Sequence, residues 1–399
     1  MFTKFLPYES RRPPVAASNL VATSQPLAVQ AGLQALRLGG NAVDAALSAA
    51  ITLTVVEPTG NGIGSDAFAL VWDGRKLHGI NGSGRSPRAW TPTYFSEYDS
   101  MPQFGWDSVT VPGAVDLWRC LSAQFGKLEF EQLFESAINY AEKGFLVGFR
   151  TAFDWNHGPA EWYQDFPEFR KTFLPPPQVG DRYFRPDLAK TLRTLSRDPR
   201  SIYEGTIAEK IIQSSELEKS ALNQEDLANH ETEWVAPINM AYRDVVVHEI
   251  PPNGQGLAVL VALGILNELE VPPCDSVESV HMQIEAMKIG LHTAARWISD
   301  SSHMKVSVKA LLDPAGLGNL AGSICATSSC IPPLSMPEGH DTVYLSAADD
   351  NGMMVSFIQS NYFGFGSGIV IPDTGITCLL YTSDAADDLL CVDLGGRRI

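Results

Sequence analysis

The sequence predicts an α+β protein, and three observations predict it. Helical spacing runs through residues 25–56 and through most of 112–300. Two segments, 67–80 and 343–360, carry hairpin signals, the second with period-two alternation of apolar and polar side chains. Two compact apolar runs, 45–56 and 257–266, are too short to span a bilayer and read as buried helices.

Taken in order, Val21-Ala22-Thr23 is strand-like, and residues 25–38 place Leu27, Ala31, Leu33, Ala35 and Leu38 at helical spacing. Pro26 suits a first turn, where its missing N–H costs nothing. Gly39-Gly40-Asn41 ends that helix and caps a second one over 42–53, alanine-rich on nearly every face and so suited to close packing. Glu57-Pro58 stops it. Gly60-Asn61-Gly62-Ile63-Gly64-Ser65-Asp66 then leads into a strand over 67–72, an Asp73-Gly74 turn and a strand over 77–80. The helical middle is interrupted by a proline and aromatic stretch over 155–186, and Asn253-Gly254-Gln255-Gly256 begins a helix over 257–266. Residues 301–340 lose periodicity and collect Ser, Pro, Gly and Cys, which reads as an exposed linker.

In the last hairpin, Val343, Leu345 and Ala347 alternate with Thr342, Tyr344 and Ser346, and Asp350-Asn351-Gly352 is the turn. A three-residue loop with Gly352 in the left-handed region pairs Asp349 with Met353. That register sets Leu345 against Phe357, Ala347 against Val355, Ser346 against Ser356 and Thr342 against Ser360. A slip of one residue would mix the faces. The pattern therefore places two hydroxyls, on Thr342 and Ser360, side by side.

Composition narrows the chemistry. A net charge of −17 over 399 residues disfavours nucleic acid and anionic membrane surfaces, where Lys and Arg must neutralise phosphate. The N-terminus reaches Arg11 without an apolar stretch of the signal-peptide kind, so a cytoplasmic location is expected. The six cysteines form no CxxC, and the eight histidines show neither H-x-x-x-H nor H-E-x-x-H spacing, so no metal site is expected, and the threonine chemistry read below needs no organic cofactor. Gly60–Gly64 and Gly364–Gly368 match neither G-x-G-x-x-G between strand and helix nor a P-loop ending, and read as tight turns. No G-x-S-x-G elbow is present.

Thr342 remains. A threonine hydroxyl is a poor nucleophile without an adjacent base. If the chain is cut between Asp341 and Thr342, the freed α-amine, with a reference pKa of about 8, becomes that base on the nucleophile's own residue.

These residues resemble a family. Val21-Ala22-Thr23-Ser24-Gln25-Pro26-Leu27-Ala28, Gly39-Gly40-Asn41-Ala42-Val43-Asp44-Ala45-Ala46, Glu57-Pro58 and Gly62-Ile63-Gly64-Ser65-Asp66-Ala67-Phe68 are similar to the opening of γ-glutamyltransferases. Val111-Pro112-Gly113-Ala114-Val115, Pro252-Asn253-Gly254-Gln255-Gly256, Asp341-Thr342-Val343-Tyr344-Leu345-Ser346 and Gly364-Phe365-Gly366-Ser367-Gly368-Ile369-Val370 continue the match in order. The resemblance implies an N-terminal-nucleophile hydrolase precursor with a four-layer αββα sandwich, a zymogen that cuts itself at Asp341–Thr342. Residues 1–341 become the large subunit and residues from 342 the small one. It also implies that Thr342 is the nucleophile of self-cleavage and of γ-glutamyl transfer from glutathione or a similar amide. Ser360 falls at the family's second hydroxyl. A homo-oligomer is compatible with this reading.

Two departures stand out. Ser65 occupies a position where the family commonly has glycine, and little effect is expected if its backbone angle is ordinary. The family's substrate-carboxylate arginine lies in R-E-x-A-P, whereas this chain has Ser83-Gly84-Arg85-Ser86-Pro87, two places late, which leaves Arg85 as the candidate. That shift resembles a subgroup of glutathione-hydrolase-like proteins and cephalosporin-acylase relatives, so a glutaryl or cephalosporin-type acylase is the alternative activity. A non-catalytic homologue that never self-cleaves, acting as a scaffold or binding protein, is the alternative of another class.

From Cys378 the chain reads Cys-Leu-Leu-Tyr-Thr-Ser-Asp-Ala-Ala-Asp, which resembles a translated transposon-type sequencing adapter. Residues 342–377 are thus expected to be the start of the small subunit, and 378–399 to be read-through. In the family the later small subunit carries a Ser-Ser pair, a Gly-Gly oxyanion hole and acidic groups that hold the substrate amine. The sandwich is then incomplete at the C-terminus, and the 399-residue chain is expected to be inactive or poorly folded, since loss of oxyanion donors alone costs about 10²–10³ in rate.

Overall fold

The computed structural model describes residues 15–99, 101–157, 163–273, 276–329 and 342–380. Helix α1 (Pro26–Arg37) begins where the Gln25 side chain accepts the Leu27 N–H at 2.7 Å, with Pro26 in the first turn. It ends at Gly39, whose φ of +94° only glycine adopts freely. Asn41 opens α2 (Ala42–Val56). Its Oδ1 accepts the Val43 and Asp44 N–H groups, and the Asp44 carboxylate accepts the Asn41 N–H in return. Every residue of α2 is buried, and the helix runs three residues past its expected end. A Cβ added at Gly32 of α1 would lie 2.8 Å from the Ala45 carbonyl oxygen, so the two helices cross nearly backbone to backbone.

Six strands form one antiparallel sheet: β1 (Leu20–Thr23), β2 (Asp66–Trp72), β3 (Leu77–Gly82), β4 (Glu233–Val235), β5 (Val343–Ala348) and β6 (Met354–Ser360), in the order β1-β5-β6-β2-β3-β4. The β5–β6 register is the expected one, Leu345 opposite Phe357, Ala347 opposite Val355 and Ser346 opposite Ser356, with Gly352 at φ +85° in the turn. The Asp349 carboxylate ties that turn to the start of α2 by accepting the Ala42 N–H at 3.0 Å. One face of the sheet (Val343, Leu345, Ala347, Val355, Phe357, Ala67, Ala69, Val71 and Ile80) is buried in the main core with α2 and with helix α3 (Ala114–Phe125). The opposite face carries exposed Tyr344, Met354 and Ile358. The described residues thus build a helix layer and a sheet layer of the expected sandwich.

A second core forms between helices α4 (Gly256–Asn267) and α5 (Val277–Trp297). α4 starts at Gly256, as the glycine-rich segment before it predicts.

The middle is helix-dominated, as expected, and also holds short strands: β4 joins the main sheet, and Ile238–Tyr242 pairs with Val245–Glu249. One reading needs correction: 301–329 is not a linker. Helices Val308–Leu311 and Pro314–Ala321 occupy it, the latter capped by the Asp313 carboxylate on the Gly316 N–H, with Leu317 and Ala321 buried in the second core. Glycine at positions 316 and 318 hides an amphipathic turn from a periodicity count. The rest of the supposed linker, 330–341, lies outside the described residues, and so does the Asp341 side of the expected cleavage site. Cys120, Cys325 and Cys378 are free thiols. No helix among the described residues is long and apolar enough to cross a membrane.

Candidate active site

Thr342 directly precedes β5, and Ser360 ends β6. Asp66, opposite Ser360, begins β2, so these residues gather at one end of the sheet. The Thr342 and Ser360 hydroxyl oxygens are 2.9 Å apart, as the hairpin register requires. Thr342 is exposed and Ser360 buried. The Tyr362 N–H donates to Ser360 Oγ at 2.7 Å. With one acceptor site of that oxygen filled, the Ser360 proton can be offered to Thr342 Oγ1, leaving the threonine proton to another acceptor.

The strand end is held from beneath. The Gln359 side chain accepts the Trp118 indole N–H at 2.9 Å and donates to Asn61 Oδ1 at 2.8 Å. Asn61 in turn donates to the Leu53 and Glu57 carbonyls at the end of α2. The Gly60–Gly64 loop is a tight turn, as expected, and close approach explains its glycines. A Cβ at Gly62 would fall 2.1 Å from Thr377 Oγ1, and one at Gly64 2.2 Å from the Thr377 carbonyl oxygen. The second glycine-rich loop follows Tyr362, whose φ of +76° is rare for a bulky side chain. Phe365 packs against Trp155, Tyr163, Phe169 and Phe173, and the Tyr163 hydroxyl donates to the Gly366 carbonyl at 3.1 Å. Cys378 and Leu379, in the stretch assigned to read-through, are buried here; their N–H groups donate to the Ile369 and Gly64 carbonyls.

Arg85 lies beyond the end of β3. Three inter-strand steps, about 14 Å, separate β3 from β5. Its guanidinium pairs with Glu233 at the start of β4, at 2.9 Å, and both side chains are mostly exposed. The structure therefore brings Thr342 and Ser360 together and leaves Arg85 at the same sheet end, engaged elsewhere. Beside it, Asn81, Ser83 and Asn253 close a ring: Asn81 Nδ2 donates to Asn253 Oδ1 at 2.7 Å, Asn253 Nδ2 to Ser83 Oγ at 2.9 Å, and the Ser83 hydroxyl to Asn81 Oδ1 at 2.8 Å.

Behind β4, buried Asp116 accepts the Thr232 N–H and the Arg119 guanidinium, both at 2.9 Å. Burial opposes its charge, but these donors hold the carboxyl below its usual range. His230, stacked on Tyr203, is pushed down to about 4 chiefly by burial. Among the described residues no group of three or more His, Cys, Asp or Glu could hold a metal ion.

Ser65 Oγ, bonded to Gly62 and Asn361, is the contact that sequence reasoning missed. Its departure from glycine was the available signal.

Comparison with known proteins places this arrangement in a family. Residues 28–384 match the gamma-glutamyltranspeptidase family. The glutathione hydrolase-like YwrD proenzyme of Bacillus subtilis (strain 168) is 34% identical over 373 residues, covering 91% of this chain and 70% of that protein. The oxamate amidohydrolase proenzyme of Klebsiella pneumoniae is 33% identical over 378 residues, with the same two coverages, 91% and 70%. The crystal structure of a cephalosporin acylase from Bacillus halodurans superposes with a TM-score of 0.87 at 43% identity, covering 95% of this chain and 72% of that one. The α+β fold is that of the N-terminal-nucleophile hydrolases these proteins represent. The chain belongs to the gamma-glutamyltranspeptidase family of hydrolytic enzymes.

Proposed function

We propose that the precursor is an autoprocessing amidohydrolase whose nucleophile is Thr342, acting on glutathione or a similar γ-glutamyl amide. The observation that carries this reading is the 2.9 Å approach of the Thr342 and Ser360 hydroxyls at the exposed start of β5. In self-cleavage the Thr342 oxygen attacks the Asp341 carbonyl carbon, and the peptide bond becomes an ester by an N→O acyl shift. Water then hydrolyses that ester, leaving an Asp341 carboxylate and a free Thr342 α-amine. In turnover the amine takes the hydroxyl proton as Thr342 attacks the substrate amide, and passes it to the departing amine. The acyl-enzyme ester is resolved by water, or by the amine of an amino acid or peptide. Large and small subunits come from the same precursor.

Arg85 serves as the substrate-carboxylate partner in this reading. Its exposed pair with Glu233 is worth at most about 1 kcal/mol, so exchanging that partner for a substrate carboxylate costs little. A second reading, an acylase for glutaryl or cephalosporin-type side chains, is favoured by the displaced Arg85 and by the 43% identity to a solved cephalosporin acylase.

The test uses the complete precursor, its C-terminal portion recovered from the source gene. On a denaturing gel the wild type is expected to split into two pieces, and Thr342→Ala to remain whole. If neither splits, the chain is a non-catalytic homologue. Rates on γ-glutamyl-anilide and glutaryl-anilide then separate the two enzymatic readings.

A further inference from the structure

Ser65 is fully buried, and its φ is not in the left-handed region, so the backbone does not demand a glycine at this position. Its hydroxyl is committed at both ends. Oγ accepts the Gly62 N–H at 2.9 Å and donates to Asn361 Oδ1 at 2.8 Å. The Ser65 carbonyl oxygen accepts the Gly113 and Ala114 N–H groups, at 3.1 and 2.9 Å, where α3 begins. One buried residue thus joins the first glycine loop, α3 and the turn after β6.

That turn is the one carrying Ser360. Asn361 lies between Ser360 and Tyr362, and its own N–H donates to the Gly60 carbonyl at 3.1 Å. Tyr362, whose N–H fixes Ser360 Oγ, sits at φ +76°, a conformation that persists only when its surroundings impose it. The Ser65 hydroxyl is a direct side-chain part of that imposition. Without it, the Gly62 N–H and Asn361 Oδ1 lose a buried partner.

We propose that Ser65 is a positioning residue for the Thr342–Ser360 pair, acting through Asn361. The inference rests on the reading of Thr342 as nucleophile. Ser65 touches no reacting atom; it fixes the residue next to the hydroxyl that faces the nucleophile.

The experiment measures self-cleavage, kcat and KM in the complete precursor for Ser65→Gly, Ser65→Ala, Asn361→Ala and the Ser65→Gly/Asn361→Ala double variant. Because small displacements at a reacting centre are costly, kcat is expected to fall about tenfold or more in each Ser65 variant, with KM nearly unchanged. The double variant is expected to lose no more than the worse of its two single changes. Wild-type kcat in a folded Ser65→Gly enzyme overturns the inference, as does a double variant whose losses multiply. So does a lowered melting temperature with kcat per folded site unaltered, the signature of a purely structural serine. Thr342→Ala, run alongside, tests the underlying reading separately. If that variant still cleaves itself, the nucleophile assignment fails whatever Ser65 does.

Discussion

Ser360 has a single proton and a full set of neighbours, which makes its substitutions diagnostic. Ser360→Ala removes the hydroxyl facing Thr342 and strands the Tyr362 N–H, while Ser360→Thr keeps both contacts. For the alanine variant kcat is expected to fall by about 10²-fold, with KM little changed, and the threonine variant is expected to retain most activity. Steady-state kinetics on γ-glutamyl-anilide decides it, and an alanine variant at wild-type rate removes Ser360 from the reaction. Arg85→Ala is expected to raise KM for that substrate about tenfold and to leave kcat unchanged, the pattern of lost uniform binding. An unchanged KM removes Arg85 from substrate binding. At this scale the hydroxyl pair was legible because period-two alternation and one glycine turn fix which side chains face each other. The Ser65 bracket and the Arg85–Glu233 pair were not. Each depends on a chain segment brought from more than a hundred residues away, and Glu233 sits in a strand too short to announce itself.

Elements differ in how strongly their sequences insist on them. α2 was legible from its Asn41 cap and unbroken alanine pattern, and β5–β6 from alternation over six and seven residues. The three-residue β4 carries no such pattern, and its place in the sheet comes from α3, through the Asp116 carboxylate on the Thr232 N–H. A pH dependence follows. His230 titrates at about 4 in the fold, because burial disfavours its charged form, against about 6.5 in the unfolded chain. The unfolded state therefore binds more protons between these values. His230 contributes stability that is full above pH 6.5 and is lost as pH falls toward 4, with a slope approaching about 1.4 kcal/mol per pH unit. Asp116 and Arg200 face the ring, and the Asp116 carboxyl, held below its usual range, stays charged through that window. Urea midpoints at pH 7, 5.5 and 4.5 should fall steadily in the wild type and flatten in His230→Gln; parallel curves contradict this. The glycine turns give a second comparison. Gly352 at φ +85° has open space where a Cβ would go, so Gly352→Ala costs only the conformational term, about 1–2 kcal/mol. Gly64→Ala drives a Cβ into the Thr377 carbonyl at 2.2 Å and is expected to cost more than 3 kcal/mol by the same denaturation measurement, an order-of-magnitude figure for backbone overpacking.

At the scale of the whole molecule, the sheet is covered unequally. On the side of α2 the inward residues of β2, β5 and β6 are almost wholly buried, whereas Tyr344 is 54% exposed, Met354 53% and Ile358 39% on the other. The register sets Tyr344, Ile358 and Phe68 in one row of that face and Met354 and Trp72 in another, with Ser346, Ser356 and Leu70 in the row between. Exposed apolar side chains grouped on one sheet face drive association when nothing covers them. The 399-residue chain produced on its own is therefore expected to elute as oligomers or aggregate on size exclusion at micromolar concentration, and to bind a hydrophobic dye. Ile358→Lys combined with Met354→Lys should restore a monomer and reduce dye binding, because both side chains point away from the α2 core and their charges remain solvated. A monodisperse, dye-silent wild-type chain would overturn this expectation, and the charged pair would then be destabilising instead of solubilising. The two outcomes differ in the sign of the effect on recovery of folded protein, so a single expression and melting comparison separates them.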